Sequence, residues 1–176
     1  MKILIAEDES GIADTYQKIL EGRGHQVTLT KDGRQCVKAY KQILAKLPDK
    51  SEQYLSHHLL FDAVVLDYKM PTMDGLEAAK LILEANKHQR IIFASAYVMS
   101  TLQESVKHLH MVVELVQKPF ELDELVDLIE DKHVYEELRK INVKIKKIKA
   151  FNPTHEQLID LLHGLQGLRT KKALVQ

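Results

Sequence analysis

Residues 63–75 read AVVLDYKMPTMDG, an apolar run that ends at an acidic residue and continues into a turn. The run 63–66 does not alternate between apolar and polar residues, which predicts a strand that is buried on both faces. Strands of this kind form parallel sheets that are covered by helices on each side. Residues 63–66 therefore predict a parallel sheet, and the rest of the chain must supply its other strands and its helices.

Strand patterns and helical patterns alternate through residues 1–131. Four further strands are predicted, at residues 3–6, 26–30, 90–94 and 111–117. Helices are predicted between them, at about 12–20, 33–47, 76–85 and 101–109. These repeated β-α units predict a doubly wound α/β domain.

The composition is that of a globular chain, with 176 residues, 45% apolar and 28% charged. The single cysteine, Cys36, excludes an intrachain disulfide and fits a reducing compartment. Acidic residues begin at Glu7, too early for a signal peptide, and no apolar run approaches the ~18 residues of a membrane span. We therefore expect a soluble, cytoplasmic protein with no membrane span.

The zero net charge hides two segments of opposite charge. Residues 1–131 hold fifteen basic and twenty-one acidic residues, whereas residues 132–176 hold ten basic and four acidic ones. We expect a domain over 1–131 and a basic helical extension over 132–176, broken into two helices near Asn152-Pro153. Apolar residues in the extension are spaced by four and three, which predicts a coiled-coil seam: Val134, Leu138, Ile141, Ile145 and Ile148.

Residues that carry chemistry follow the predicted strands directly. Glu7 and Asp8 follow the first strand, Asp67 the third, Ser95 the fourth and Lys118 the fifth. Ligands bind beyond the carboxyl ends of the strands in an open parallel sheet, so these side chains are expected to meet at one edge.

Three carboxylates at one edge repel one another unless a cation neutralises them. Oxygen ligands suit Mg²⁺, which would offset the charge of an incoming phosphoryl group. Lys118 would supply a second positive charge and Ser95 a hydrogen-bond donor. Asp67, at the tip of the central strand, is the expected nucleophile.

Residues 1–131 resemble the receiver (CheY-like) domain of a two-component response regulator. Four segments carry the resemblance, in order and each at a strand end: Glu7-Asp8, residues 67–75, Ser95-Ala96 and Lys118-Pro119-Phe120. The resemblance implies a flavodoxin-like, five-stranded parallel sheet in the order 2-1-3-4-5, here with a helical C-terminal extension.

The resemblance also implies what the site does. Asp67 would accept a phosphoryl group from a histidine kinase or a phosphotransfer protein. Mg²⁺ would be held by Asp8, Asp67 and the backbone carbonyl of Lys69, with Glu7 acting directly or through water. The Lys118-Pro119 peptide bond would be cis. No enzymatic activity is expected beyond Mg²⁺-dependent phosphorylation and dephosphorylation of Asp67 itself.

The switch region departs from the family in one position. Ser95 would move towards the phosphoryl group and change the face formed by the fifth strand and its neighbouring helices. Receivers usually carry Tyr or Phe three residues before the lysine, where this chain has Leu115. Tyr97, two residues after Ser95, is the aromatic residue nearby, and our hypothesis is that it covers the phosphoryl site and slows hydrolysis.

A second departure is length. The chain between Gly33 and Asp67 is longer than the resemblance leads us to expect, and we place the excess near residues 47–60, as an extension of the second helix.

The sequence leaves three hypotheses for how the chain passes on its signal. The first is a phosphorylation-controlled switch that signals through protein contacts of the tail, including a homodimer through the helix after strand five. The second is a phosphorylation-controlled transcription regulator whose basic tail binds DNA. A scaffold that needs no phosphate is the third, and the intact acidic site argues against it.

Overall fold

Five parallel strands form one sheet in the order β2-β1-β3-β4-β5, as the resemblance implies. The strands are β1 Lys2–Ala6, β2 Gln26–Thr30, β3 Ala63–Leu66, β4 Ile91–Ser95 and β5 Val113–Gln117. The helices are α1 Ser10–Gly22, α2 Gly33–Ala45, α3 Glu52–His57, α4 Gly75–Ala85 and α5 Leu122–Glu130.

This computed structural model describes residues 1–96, 113–130, 138 and 161–165. The predicted helix at about 101–109, Tyr97 and most of the predicted seam lie outside the described residues. The chain divides into two compact units, Met1–Leu122 and Asp123–Gln176. The predicted boundary at residue 131 stays a prediction.

Strands β1, β3 and β4 are buried on both faces, as their apolar runs predict. Leu4, Val64 and Phe93 lie on one face, in a core that also contains α2, α3 and α4 side chains. Ile3 and Val65, on the opposite face, are buried as well. No charged residue interrupts strands β3 and β4, because neither of their faces meets water.

Short polar side chains cap three of the helices. The carboxylate of Asp32 accepts a hydrogen bond from the backbone nitrogen of Gln35 at 2.8 Å and so begins α2. Asp74 does the same for Glu77 in α4, also at 2.8 Å. Each cap satisfies a backbone donor that has no partner inside its helix.

The prediction that the extra residues extend the second helix is wrong. Helix α2 ends at Ala45, and the excess instead forms the separate short helix α3. Pro48 cannot donate the backbone hydrogen bond that a continuing helix requires, and Ser51 caps the new helix through the nitrogen of Tyr54 at 3.3 Å. Leu55, in α3, is buried in the common core.

Strand β1 begins one residue earlier than predicted, at Lys2, and both boundaries of β4 lie one residue later than predicted. Strand β4 begins at Ile91 rather than at Arg90, whose guanidinium is bonded to the carboxylate of Glu114. It ends at Ser95, which still pairs with Gln117 of β5. The pairing therefore carries the sheet one residue closer to the predicted site.

Cys36, in α2, is fully buried, and burial raises the pKa of its thiol to about 12. The thiol is therefore protonated at neutral pH and serves as a small apolar side chain.

The second unit contains most of α5, and residues 161–165 are also helical. Its buried apolar residues are Leu125, Val126, Ile129, Leu138 and Leu162. Within the described part of the chain, no helix combines the length and the apolar character that crossing a membrane requires.

Candidate functional site

Strand pairing brings Glu7 and Asp67 side by side. Strands β1 and β3 are neighbours, with Ala6 opposite Leu66, so the next residue of each strand lies at the same edge. The nitrogen of Asp67 donates to the carbonyl of Ala6 at 2.9 Å, and that of Glu7 donates to Thr30 at 3.1 Å. The backbone of both acids is thus fixed by the sheet.

Lys118 reaches the same edge from β5. Its backbone nitrogen donates to the carbonyl of Ser95 at 2.7 Å, which fixes the lysine against the end of β4. The peptide bond between Lys118 and Pro119 is cis, as the resemblance implies.

The ammonium group of Lys118 joins two carboxylates. Its Nζ lies 2.6 Å from Oε2 of Glu7 and 3.3 Å from Oδ1 of Asp67. Glu7 is buried, with a side chain 2% exposed, while Asp67 and Lys118 are slightly more open. The second oxygen of Glu7, Oε1, is buried and has no hydrogen-bond partner among the described residues.

Carboxylate oxygens of Glu7, Asp8 and Asp67 lie within 4.8 Å of one another. Asp8 is exposed at the mouth of the site, and Glu7 forms its floor. Three carboxylates beside one ammonium group leave an excess of negative charge, and hard oxygen donors of this kind suit a divalent cation such as Mg²⁺. The unpartnered Oε1 of Glu7 also fits such an ion, directly or through a water molecule.

Burial raises the pKa of both Glu7 and Asp67, because water is no longer available to solvate their charges. Lys118 opposes the rise at both carboxyls but does not cancel it. Both acids are therefore harder to ionise than in solution, and a bound cation would favour their charged forms.

Two stacked rings, Tyr16 and Phe120, form an aromatic wall beside Lys118 on the α1 side. Its Nζ lies 6.0 Å from the centroid of the Tyr16 ring, and that ring is stacked on Phe120 with centroids 6.0 Å apart. Burial and the nearby carboxylates raise the pKa of the Tyr16 hydroxyl. Next to this wall opens a groove of about 450 Å³ that is lined in part by Ile12 and Pro119.

The remaining predicted residues fall in different surroundings. Ser95 is buried at the end of β4, and Lys69 is exposed in the segment that follows Asp67. Leu115 pairs with Phe93 across β4 and β5 and is half-buried against the core. Tyr97 lies outside the described residues.

The position of Tyr16 beside Lys118 was not predicted from the sequence, which identifies this residue only as part of an apolar helix face. No local signal distinguishes it from its neighbours Ile12 and Leu20. Tyr16 lies beside Lys118 because of the strand end that α1 faces, and only the fold determines that position.

Comparisons with known proteins agree with the fold and identify the family. The chain matches the response regulator receiver domain family over residues 3–130. It is 30% identical over 158 residues to the transcriptional regulatory protein DltR of Streptococcus agalactiae, covering 89% of this chain and 62% of that protein. It is also 30% identical to sporulation initiation phosphotransferase F of Bacillus subtilis, covering 73% of this chain and 90% of that protein.

Solved structures share the fold. The receiver domain of the Francisella response regulator 1452 is 25% identical, with a TM-score of 0.56 over 73% of this chain and 93% of that one. A CheY-like receiver domain protein of Methanospirillum hungatei is 20% identical, with a TM-score of 0.59 over 74% and 91% of the two chains.

The fold and the strand order define a CheY-like, flavodoxin-like α/β domain. The chain belongs to the response regulator receiver domain family. It spans less than two thirds of DltR, with 62% of that protein covered.

Proposed function

We propose that the chain is a phosphorylation-controlled switch in which Asp67 accepts a phosphoryl group from a histidine kinase or a phosphotransfer protein. The observation that supports this most is the joint contact of Lys118 with Glu7 and Asp67, beside a third carboxylate at Asp8. The family relation supports the class of partner. The reaction modifies the chain itself, so no separate substrate is turned over.

The positions of these groups support the following transfer. An Oδ atom of Asp67 attacks phosphorus and forms the acyl phosphate, while the bond from phosphorus to the donor breaks and its electron pair leaves with the donor. Lys118 is close enough to Asp67 to neutralise an oxygen of the transferred group. Mg²⁺, held by Glu7, Asp8, Asp67 and the carbonyl of Lys69, would supply the remaining positive charge.

The switch is proposed to begin at Ser95. The backbone carbonyl of Ser95 accepts a hydrogen bond from the nitrogen of Lys118. A movement of Ser95 towards the phosphoryl group would therefore also displace the start of the segment after β5. Leu115 lacks the ring that usually rotates in this family. We propose that Tyr97 instead covers the phosphoryl group and slows its hydrolysis.

The tail is proposed to give the output through protein contacts, either as a homodimer or by docking on a partner. DNA binding is the second candidate, because residues 132–176 carry ten basic and four acidic residues. The relative DltR, which is named a transcriptional regulator, supports the same reading. Salt-dependent retention of the full chain on DNA separates the two, and no binding at low salt would exclude the second.

The proposed phosphorylation is tested by intact mass after incubation with a small acyl phosphate, with and without Mg²⁺. We expect one added phosphate in the presence of Mg²⁺, and none on Asp67→Asn. Asp62→Asn is the matched control, because Asp62 lies before the same strand and binds the nitrogen of Lys2 at 2.7 Å. Phosphate on Asp67→Asn would contradict the assignment of the acceptor. No phosphate on the parent, with a working receiver run alongside, would favour the scaffold hypothesis.

A further inference from the structure

Helix α2 contacts the segment after Asp67 at Gly33, a residue that has no side chain. The backbone nitrogen of Gly33 donates a hydrogen bond to the carbonyl of Met73 at 3.1 Å. A Cβ atom added to Gly33 would lie 2.7 Å from that carbonyl oxygen and 2.9 Å from the carbonyl oxygen of Asp74. Gly33 is therefore required by the close approach of two backbones, since its φ is not in the left-handed region.

A second glycine, Gly75, packs against the backbone at the start of the same segment. The nitrogen of Gly75 donates to the carbonyl of Tyr68 at 3.0 Å, and a Cβ atom at Gly75 would collide with the carbonyl of Asp67. Residues 67–75 thus lie between two contacts that tolerate no added atom. Lys69, whose carbonyl is a proposed metal ligand, lies within residues 67–75.

The segment cannot move freely at its far end. Asp74 is the N-cap of α4 through the nitrogen of Glu77 at 2.8 Å, which ties its position to a packed helix. The nitrogen of Met73 also donates to Pro71 at 2.7 Å, so the turn before Asp74 is closed on itself. Met73 is therefore held on both sides, by the turn that begins at Pro71 and by the capped end of α4.

We propose that Gly33 is a positioning residue for the magnesium site, acting through the segment that carries the Lys69 carbonyl. This inference rests on the proposed function, because the ion is part of that proposal. Metal ligands must be held to within a fraction of an ångström, and a Cβ atom at Gly33 displaces backbone that no rotamer change can move aside. The helix that begins at Gly33 supplies none of the proposed ligands, yet it sets where one of them lies.

The test compares Gly33→Ala with Gly22→Ala by titration with Mg²⁺ alone. Gly22 ends α1, and a Cβ atom there meets nothing within 4 Å, so it is the matched control for the change from glycine to alanine. We expect the dissociation constant for Mg²⁺ to rise about tenfold in Gly33→Ala and to stay unchanged in Gly22→Ala. In metal-free buffer, the amide chemical shifts of residues 68–74 should move only in Gly33→Ala.

Two further arms exclude simpler explanations. Adding Met73→Ala to Gly33→Ala removes the side chain whose Cγ would lie 2.9 Å from the new Cβ but leaves both carbonyls in place. We expect no recovery of Mg²⁺ affinity, and full recovery would overturn the inference. In the parent, the amide signal of Gly33 should shift at saturating Mg²⁺ while that of Gly22 does not, a measurement that does not depend on a variant folding.

The possible failures are distinguishable. If the parent itself binds no Mg²⁺, the proposed function fails. If the parent binds Mg²⁺, and either a folded Gly33→Ala binds it equally well or the Gly33 amide of the parent does not respond to it, only the role of Gly33 is refuted.

Discussion

The ammonium nitrogen of Lys118 lies nearer to Glu7, at 2.6 Å, than to the proposed nucleophile Asp67, at 3.3 Å. Glu7 is also the more deeply buried of the two acids, and its other oxygen has no partner among the described residues. The shorter contact of Lys118 is therefore with the buried acid and not with the acid that we propose is phosphorylated.

The first prediction concerns the pH dependence of stability in metal-free buffer. The pKa of Glu7 and of Asp67 is raised in the folded state, so the folded chain holds these protons more tightly than the unfolded chain does. The free energy of unfolding should therefore fall as the pH rises from about 4 towards 7. Glu7→Gln should make this fall shallower, as measured by urea unfolding at several pH values.

Glu84→Gln, on the exposed face of α4, is the control for removing one acidic group. Its pH profile should follow that of the parent. An unchanged slope in Glu7→Gln would show that the burial of Glu7 is not what makes stability depend on pH.

The second prediction is that Lys118→Ala destabilises the chain at pH 7 by about 3 kcal/mol, because it leaves two carboxylates without their counter-charge. Adding Glu7→Gln should restore much of the loss, since the buried charge then disappears with its partner. Denaturant unfolding of the two single variants and the double variant measures this coupling. Strict additivity would mean that the ion pair has no energetic role.

Lys118→Ala should also separate phosphorylation from signalling, which makes a third prediction. Asp67 and the other carboxylates remain, so some phosphate should still be accepted in the presence of Mg²⁺. The bond between the lysine and the phosphoryl group would be missing, so the response in a pathway assay should be lost. A normal response from the phosphorylated variant would refute the role given to Lys118.

The fourth prediction concerns the aromatic wall. Tyr16→Leu keeps an apolar side chain but removes the ring that faces Lys118 and stacks on Phe120. We expect phosphorylation by a small acyl phosphate to slow several-fold, because the ammonium group loses a contact of about 0.5–2 kcal/mol. Tyr54→Leu, in α3, is the control, and equal slowing in both variants would argue against a specific role for Tyr16.

The fifth prediction addresses a buried ion pair that is separate from the site. The Nη2 atom of Arg90 lies 2.6 Å from Oε2 of Glu114, and the two side chains are 11% and 6% exposed. Glu114→Ala should destabilise the fold by about 3–5 kcal/mol, because it removes the carboxylate that balances the charge of the Arg90 guanidinium. The double change Arg90→Met with Glu114→Leu should recover most of this in urea unfolding, and failure to recover would mean that packing outweighs charge here.

The sequence was sufficient to predict the parallel sheet and the residues that meet at its edge. Apolar runs such as 63–66 have no polar face, so burial on both sides and a parallel arrangement follow from the pattern itself. Once the strands are parallel, Glu7, Asp67 and Lys118 must lie at the same end of the sheet. Their contact was therefore predictable without any knowledge of distances.

The remainder depended on tertiary structure. The helix α3 was missed because residues 48–60 have no clear period, and its formation relies on Ser51 as a cap and on burial of Leu55. The steric role of Gly33 was equally hidden, since a glycine at the start of a helix has no distinguishing pattern. Such contacts join segments that are far apart in sequence, and only the packed structure brings them together.

The buried thiol of Cys36 has a practical consequence for experiments on this molecule. It is the only cysteine in the chain, it is 0% exposed, and its pKa is about 12. Maleimide and spin-label reagents should therefore leave the native protein unmodified. A cysteine introduced at an exposed position such as Ala45 would then be the sole reactive thiol, so probes could follow the switch in solution without prior removal of a natural cysteine.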